Sequence, residues 1–116
     1  MRIFAILAGM QETLSHKYLL SDVPKRGLIR IVEIQNDKTL LLPSEDIQKD
    51  IVKIRFQLDM ECFSNQALQA DYTRIGLELF SIEPYLLVEK KDADLASLCK
   101  QEMEKLAQKG IKLYRG

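Results

Sequence analysis

The sequence predicts an α+β domain in which a small β-sheet is covered by helices. Two short apolar segments joined by turn residues predict a β-hairpin, and later segments with apolar residues at helical spacing predict helices. The predicted order is helix, two strands, two helices, strand, helix, and packing the helices on one small sheet is the simplest way to bury their apolar faces. The length of 116 residues is close to the commonest domain size, so we expect a single domain over 1–116.

The N-terminal segment, about residues 1–23, is predicted to be a helix. Leu7, Met10 and Leu14 follow helical spacing, although the first apolar residues alone could also form a short strand. Pro24 and the residues after it form a turn that closes the segment.

A β-hairpin is predicted next. Residues 28–34 are rich in β-branched and aliphatic side chains, and residues 40–42 resume the apolar run. Between them, Asn36 and Asp37 are turn residues that tolerate left-handed backbone. We expect Pro43 to end the second strand.

Two helices are predicted to follow the hairpin. Ser44 is expected to cap the first, with acidic residues in the first turn, where the helix dipole favours anions. Apolar residues at i, i+4, i+7 and i+11 predict its buried face: Ile47, Ile51, Ile54 and Leu58. Either Ser64 or Asn65 is expected to cap the second helix, which ends at Gly76. The residues predicted on its inner face are Leu68, Tyr72 and Ile75.

A third strand and a last helix complete the prediction. The strand, over residues 79–88, contains Pro84, which places it at a sheet edge or marks a bulge. Asp92 or Asp94 is expected to cap the helix, and Gly110 to end it. Its inward residues are predicted to be Leu95, Leu98, Met103 and Leu106. Residues 111–114 either add a short strand or pack against the domain.

Composition limits the possible functions. Lys plus Arg (17) balance Asp plus Glu (17), whereas a dedicated nucleic-acid-binding protein usually carries a basic excess. His16 is the single histidine, and Cys62 and Cys99 are isolated, which fits reduced thiols rather than a disulfide framework or a zinc site. No stretch approaches the roughly 18 apolar residues that span a bilayer. We therefore expect a soluble, cytoplasmic protein.

An ordered series of short motifs follows the hairpin: Phe56-Gln57-Leu58, Asn65, Leu68-Gln69, Asp71-Tyr72, Gly76 and Phe80-Ser81-Ile82-Glu83. Together with the hairpin, this series resembles the GIY-YIG nuclease family and is most similar to its small bacterial members. The resemblance covers about residues 24–106. The resemblance implies a small, mainly antiparallel three-stranded sheet flanked by helices. It also implies hydrolysis of DNA phosphodiester bonds with one divalent metal ion.

The tyrosine and glycine positions of the family's two sequence triplets are replaced. Gly27-Leu28-Ile29 stands where the family has Gly-Ile-Tyr, so Ile29 replaces a tyrosine that would orient the nucleophilic water. Leu40-Leu41-Leu42 stands where the family has Tyr-Ile-Gly, so Leu40 replaces the second tyrosine and Leu42 the glycine. Aliphatic side chains at these positions indicate that side chains of the hydrophobic core fill the former cleft. The alternative is that they line a new apolar ligand pocket.

The charged positions of the family are replaced as well. Asp50 stands at the catalytic arginine, Ile54 at the histidine and Cys99 at the metal-binding glutamate. Losing one electrostatic donor commonly costs about 10²–10³ in rate, so losing several together should abolish hydrolysis. Glu102, three residues after Cys99 and without a visible cationic partner, would have to supply a displaced metal ligand.

The sequence therefore favours a catalytically degenerate relative that acts through binding, to a protein or to its own copy, and needs no cofactor. One alternative is a metal-dependent DNA endonuclease with relocated residues, for which a divalent ion would be required. A second is a nucleic-acid-binding module without hydrolysis, for which Lys53 and Arg55 are the candidate contacts.

Overall fold

The computed structural model describes residues 25–114. Within them the three strands are β1 (Gly27–Glu33), β2 (Lys38–Ser44) and β3 (Phe80–Leu87), and the three helices are α1 (Ile47–Asp59), α2 (Gln66–Ile75) and α3 (Leu95–Gln108). A 3-10 turn, Leu77–Leu79, precedes β3. The strands form an antiparallel sheet in the order β2-β1-β3, which confirms the predicted fold class. The predicted helix over residues 1–23 lies outside the described residues.

The hairpin turn is fixed by a buried carboxylate. Glu33, at the end of β1, is only 1% exposed. Its Oε2 accepts hydrogen bonds from the backbone N–H groups of Gln35 (2.6 Å) and Asn36 (3.2 Å), and its Oε1 accepts one from Asn36 Nδ2 (2.6 Å). Asp37 takes the left-handed conformation expected of a turn residue, with φ 55°.

The prediction that Pro43 ends the second strand is wrong. Pro43 pairs with Leu28, and β2 continues to Ser44, which pairs with Gly27. Because β2 lies at the edge of the sheet, the proline's missing N–H is tolerated there.

The first helix consequently starts later than predicted, and its cap is Asp46 rather than Ser44. The Asp46 Oδ1 accepts a hydrogen bond from Lys49 N (3.2 Å). Ser44 instead joins the strand to the helix: its Oγ accepts from Asp46 N (3.1 Å) and donates to Asp50 Oδ2 (2.5 Å).

The sheet is covered on both faces. Successive residues of a strand point to opposite faces, so Leu28 and Ile29 belong to different apolar clusters. The cluster beneath α1 and α2, here called the α1/α2 cluster, includes Ile29, Ile31, Leu40, Ile47, Ile54, Leu58, Leu68 and Tyr72. The cluster beneath α3, here called the α3 cluster, includes Leu28, Leu41, Cys99 and Leu106. The predicted buried stripe of α1 is thus confirmed.

Helix α2 is held by two amides from the family-like motif. Asn65 caps it by accepting a hydrogen bond from Leu68 N (3.0 Å). Gln69 is buried, where its Oε1 accepts from Phe63 N (2.9 Å) and its Nε2 donates to Leu58 O (3.1 Å). Both side chains therefore fix the loop between α1 and α2.

The last strand has both features that Pro84 suggested. β3 is an edge strand, and it carries a bulge, because Ile29 pairs with Pro84 while Leu28 pairs with Leu86, leaving Tyr85 without a partner.

Helix α3 is capped by Asp94, one of the two caps that the sequence predicted. The side chain of Asp94 accepts hydrogen bonds from the N–H groups of Ala96 and Ser97. A hydrogen bond from Ser97 Oγ (2.8 Å), followed by the bond from Ser97 N, lowers the pKa of Asp94. No helix within residues 25–114 has the length and apolar content required to cross a membrane.

The residues after α3 return to the free edge of β2. Thr39 N donates to Lys112 O (2.9 Å) and Tyr114 N donates to Thr39 O (2.9 Å), which forms one parallel bridge rather than a full strand. The Tyr114 ring is 1% exposed, and its hydroxyl donates to Asp71 Oδ2 on α2 (2.7 Å). The Tyr114–Asp71 bond therefore ties the C-terminal segment to the α2 side of the domain.

Replacing Tyr114 with phenylalanine should destabilise the fold in a pH-dependent way. The bond from Tyr114 is the largest cause of a lowered Asp71 pKa, and burial followed by the Asp71 bond raises the pKa of Tyr114. Because the pKa of Asp71 is lowered on folding, the bond stabilises the fold at pH values above the unfolded carboxyl pKa of about 4. Because the pKa of Tyr114 is raised on folding, it stabilises the fold at pH values below the unfolded phenol pKa of about 10. We expect Tyr114→Phe to lose about 1–2 kcal/mol near neutral pH.

The loss should shrink as the pH falls through the folded-state pKa of Asp71, and again as it rises above about 10. Urea unfolding curves across the pH range would measure this. Tyr85→Phe is the matched control, since its hydroxyl makes no hydrogen bond with a residue of the described range. Equal losses in both variants, or a loss independent of pH, would contradict the assignment.

Candidate functional site

The positions predicted to correspond to the family's tyrosines and histidine lie in the hydrophobic core. Ile29 is fully buried, and Leu40 and Ile54 are each 6% exposed. All three belong to the α1/α2 cluster, and the half-buried Leu42 packs against it. Across the hairpin, Ile29 faces Leu42 directly. The space between these residues is therefore filled by packed aliphatic side chains.

The position predicted to correspond to the catalytic arginine has a local structural role. Asp50 lies in the first turn of α1 and accepts the hydrogen bond from Ser44 Oγ. An anionic side chain is favoured there by the helix dipole. Asp50 thus connects the end of β2 to the start of α1.

The position predicted to correspond to the metal-binding glutamate is on the other face of the sheet. Cys99, on α3, belongs to the α3 cluster with Leu28 and Leu41, and it is 7% exposed. Its Sγ donates a weak hydrogen bond to Leu41 O (3.3 Å). Burial raises the pKa of the thiol, so the group is neutral at physiological pH and a poor metal ligand or nucleophile. The predicted set of positions is therefore divided between the two faces.

The proposed substitute ligand, Glu102, is already paired. Its Oε2 accepts a hydrogen bond from Lys105 Nζ (3.1 Å), one turn further along α3. The expectation that Glu102 lacks a cationic partner is therefore wrong. The i, i+3 spacing of the two residues would have identified the pair from the sequence. Among residues 25–114, no group of three or more His, Cys, Asp and Glu side chains converges as a metal ion would require.

One polar group on the sheet was missed by the sequence analysis. On the α3 face, Arg30 of β1 donates from Nε and Nη2 to Glu83 Oε2 of β3, and Ser81 Oγ donates to Glu83 Oε1 (2.8 Å). The guanidinium also lies over the Tyr85 ring, 5.8 Å from its centre. The pairing depends on the register of β1 and β3, which the sequence does not reveal.

The candidate nucleic-acid contacts are on the surface of α1. Lys53 and Arg55 are exposed, and neither forms an ion pair with another residue of the described part. Phe56, next to Arg55, is 61% exposed. These side chains are thus accessible to a partner, on the side of α1 that does not face the sheet.

The other cysteine lies at the connection between α1 and α2. Cys62 is exposed and lines a shallow open depression of about 600 Å³ together with Glu61, Gln66, Gln69 and Arg74. The depression is formed by the connecting loop and α2, whereas the positions predicted to correspond to the family's catalytic residues lie on the strands, on α1 and on α3.

Comparison with solved structures identifies the fold. The catalytic domain of the homing endonuclease I-TevI superimposes with a TM-score of 0.66 at 19% sequence identity, over 79% of this chain and 100% of that domain. A point mutant of the catalytic domain of intron endonuclease I-TevI gives the same score and identity over 78% of this chain and 92% of its own. No family model and no curated protein matches the sequence. The predicted GIY-YIG fold is thereby confirmed.

The two cysteines should differ strongly in reactivity towards a disulfide reagent such as DTNB. Cys62 is exposed, whereas Cys99 is buried and its pKa is raised. We expect one thiol per native chain to react rapidly and the second only on unfolding in guanidinium. Cys62→Ser should abolish the rapid phase. A rapid phase that survives in Cys62→Ser would show that Cys99 is accessible.

Proposed function

We propose that this chain is a GIY-YIG-fold protein that does not hydrolyse phosphodiester bonds and that functions by binding a protein, either another chain or a second copy of itself. The observation that carries the proposal is the burial of Ile29, Leu40 and Ile54 in the α1/α2 cluster. The resemblance places two tyrosines and a histidine at these positions. A packed aliphatic core offers neither a hydroxyl nor an imidazole to a nucleophilic water.

The electrostatics of the remaining positions support the same proposal. Phosphodiester hydrolysis requires stabilisation of developing negative charge and a positioned nucleophile. Asp50 carries a negative charge where the resemblance puts an arginine, so it would repel a phosphate. Cys99 is a buried neutral thiol on the opposite face of the sheet, where it contacts Leu41 rather than solvent.

Surface composition supports a protein as the partner. Several large apolar side chains remain exposed within residues 25–114: Ile34, Val52, Phe56, Met60, Leu77, Leu86 and Leu87. The formal charge of zero gives no overall attraction to a polyanion. Apolar surface of this kind is more often buried against another polypeptide than against nucleic acid.

The purified protein should show no cleavage of DNA or RNA with Mg²⁺ or Mn²⁺. The assay should use single- and double-stranded substrates, with an active metal-dependent nuclease as the positive control. Glu102→Ala is the informative variant, because Glu102 is the one acidic residue that the sequence suggests as a displaced ligand. Glu104→Ala, on the exposed side of α3, is the matched control. Cleavage that disappears in Glu102→Ala and persists in Glu104→Ala would overturn the proposal.

A second candidate function is nucleic-acid binding without hydrolysis, which the exposure of Lys53 and Arg55 beside Phe56 favours. Cations next to an exposed aromatic ring form a common arrangement for binding single strands.

This candidate predicts salt-sensitive binding of a fluorescent single-stranded oligonucleotide. Replacing Lys53 and Arg55 with alanine should lower the affinity and reduce the slope of log K against log salt by about 1.4, or about 0.7 for each lost phosphate contact. Lys100→Ala/Lys109→Ala, with Lys100 on α3 and Lys109 directly after it, removes the same charge from exposed positions and serves as the control. An equal loss in the control, or no salt dependence at all, would reject the candidate.

A further inference from the structure

Helix α1 has apolar side chains on two opposite faces. One face, with Ile47, Ile54 and Leu58, is buried against the sheet. At 100° per residue, Val52, Phe56 and Met60 lie on the side directly opposite. Their exposed fractions are 67%, 61% and 61%. We call these three residues the outer stripe of α1.

The outer stripe differs from the scattered apolar residues found on every protein surface. Its members follow one another at i, i+4 and i+8, so they form one continuous surface along two turns of the helix. A surface helix is ordinarily polar on the side away from the core, and apolar character on both sides is typical of a helix covered by a further layer. We therefore expect the outer stripe to be covered by another polypeptide segment.

The path of the chain brings one candidate occupant to α1. Ile47 N, at the first turn of the helix, donates a hydrogen bond to Lys25 O (2.8 Å). The polypeptide before Lys25 therefore joins the described part of the protein beside the start of α1. Residues 1–24 lie outside the described part.

The segment before Lys25 is long enough to run along the outer stripe. From Ile47 to Met60, α1 rises about 20 Å at 1.5 Å per residue. The 24 residues before Lys25 would extend about 36 Å as a helix, and more if extended. They can therefore run along the whole outer stripe and still connect to Lys25.

The sequence of the segment is also suited to this surface. Leu7, Met10 and Leu14 follow helical spacing, and they provide an apolar face that has to be buried somewhere. A contact between this face and the outer stripe would bury both at once.

A second exposed apolar surface, near Gly27, is less suitable than the outer stripe as a contact for the N-terminal segment. Leu86 and Leu87 are 37% and 48% exposed, and Leu87 pairs with Gly27. As consecutive strand residues, however, they point to opposite faces of the sheet. They cannot form one continuous surface for a single helix face.

We propose that the outer stripe of α1 is the docking site for the N-terminal segment of the same chain, residues 1–24, with Leu7, Met10 and Leu14 in contact with Val52, Phe56 and Met60. The contact is intramolecular. It removes Val52, Phe56 and Met60 from the surface available to a partner, so the partner binding proposed above uses the other exposed apolar side chains, Ile34, Leu77, Leu86 and Leu87. It makes α1 a central layer of the domain, between the sheet and the N-terminal segment.

Oxidation of Met60 by hydrogen peroxide tests the proposal in the full-length protein. The oxidation rate of each methionine can be followed by peptide mass spectrometry in the native chain and in guanidinium. If the N-terminal segment covers the outer stripe, native Met60 should oxidise at least fivefold more slowly than unfolded Met60. If the stripe is open, the exposed thioether should oxidise at nearly the unfolded rate, and that result overturns the proposal.

Charged substitutions in the segment then identify what covers Met60. Leu7→Asp/Leu14→Asp should restore rapid oxidation of Met60, whereas His16→Asp, on the opposite side of the predicted helix, should leave it slow. Met103, half-buried against both clusters, reports whether the variants remain folded. Protection of Met60 that weakens on dilution would mean that a second copy covers the stripe, and protection that persists in the double variant would mean that another element does. Either result would contradict the proposal.

Discussion

The central strand β1 is the element on which the rest of the structure depends, because it is paired on both edges and buried on both faces. Leu28, Ile29 and Ile31 are completely buried. Leu28 belongs to the α3 cluster, whereas Ile29 and Ile31 belong to the α1/α2 cluster, so β1 joins the two clusters. A change in this strand therefore affects both layers of helices.

The burial of β1 also limits which side chains can be accommodated at Ile29. A hydroxyl placed at Ile29 would need a hydrogen-bond partner or access to water, since an unpaired buried polar group is costly. Leu42 and the bulged strand at Pro84 face that position instead. Ile29 and its strand neighbours therefore contribute aliphatic packing to the α1/α2 cluster.

Features with a local cause could be predicted from the sequence, and features with a non-local cause could not. The buried stripe of α1, the Asn65 and Asp94 caps and the bulge near Pro84 each follow from residues close together in the chain. The assignment of Ser44 as a cap failed because only the edge position of β2 allows Pro43 to stay in a strand. The opposite placement of Ile29 and Cys99 depends on which face each helix covers, and the sequence pattern does not contain that information.

Four basic residues of the described part form ion pairs with acidic residues. Arg26 pairs with Glu45, Arg30 with Glu83, Arg74 with Asp71 and Lys105 with Glu102. Such pairs contribute only about 0–1 kcal/mol each, but they cancel locally the positive field that would attract a phosphate backbone. Arg30 is the clearest example, since the only arginine in the sheet is bound by Glu83 and stacked on Tyr85. The proposed binding of a protein partner therefore relies on exposed apolar side chains more than on charge.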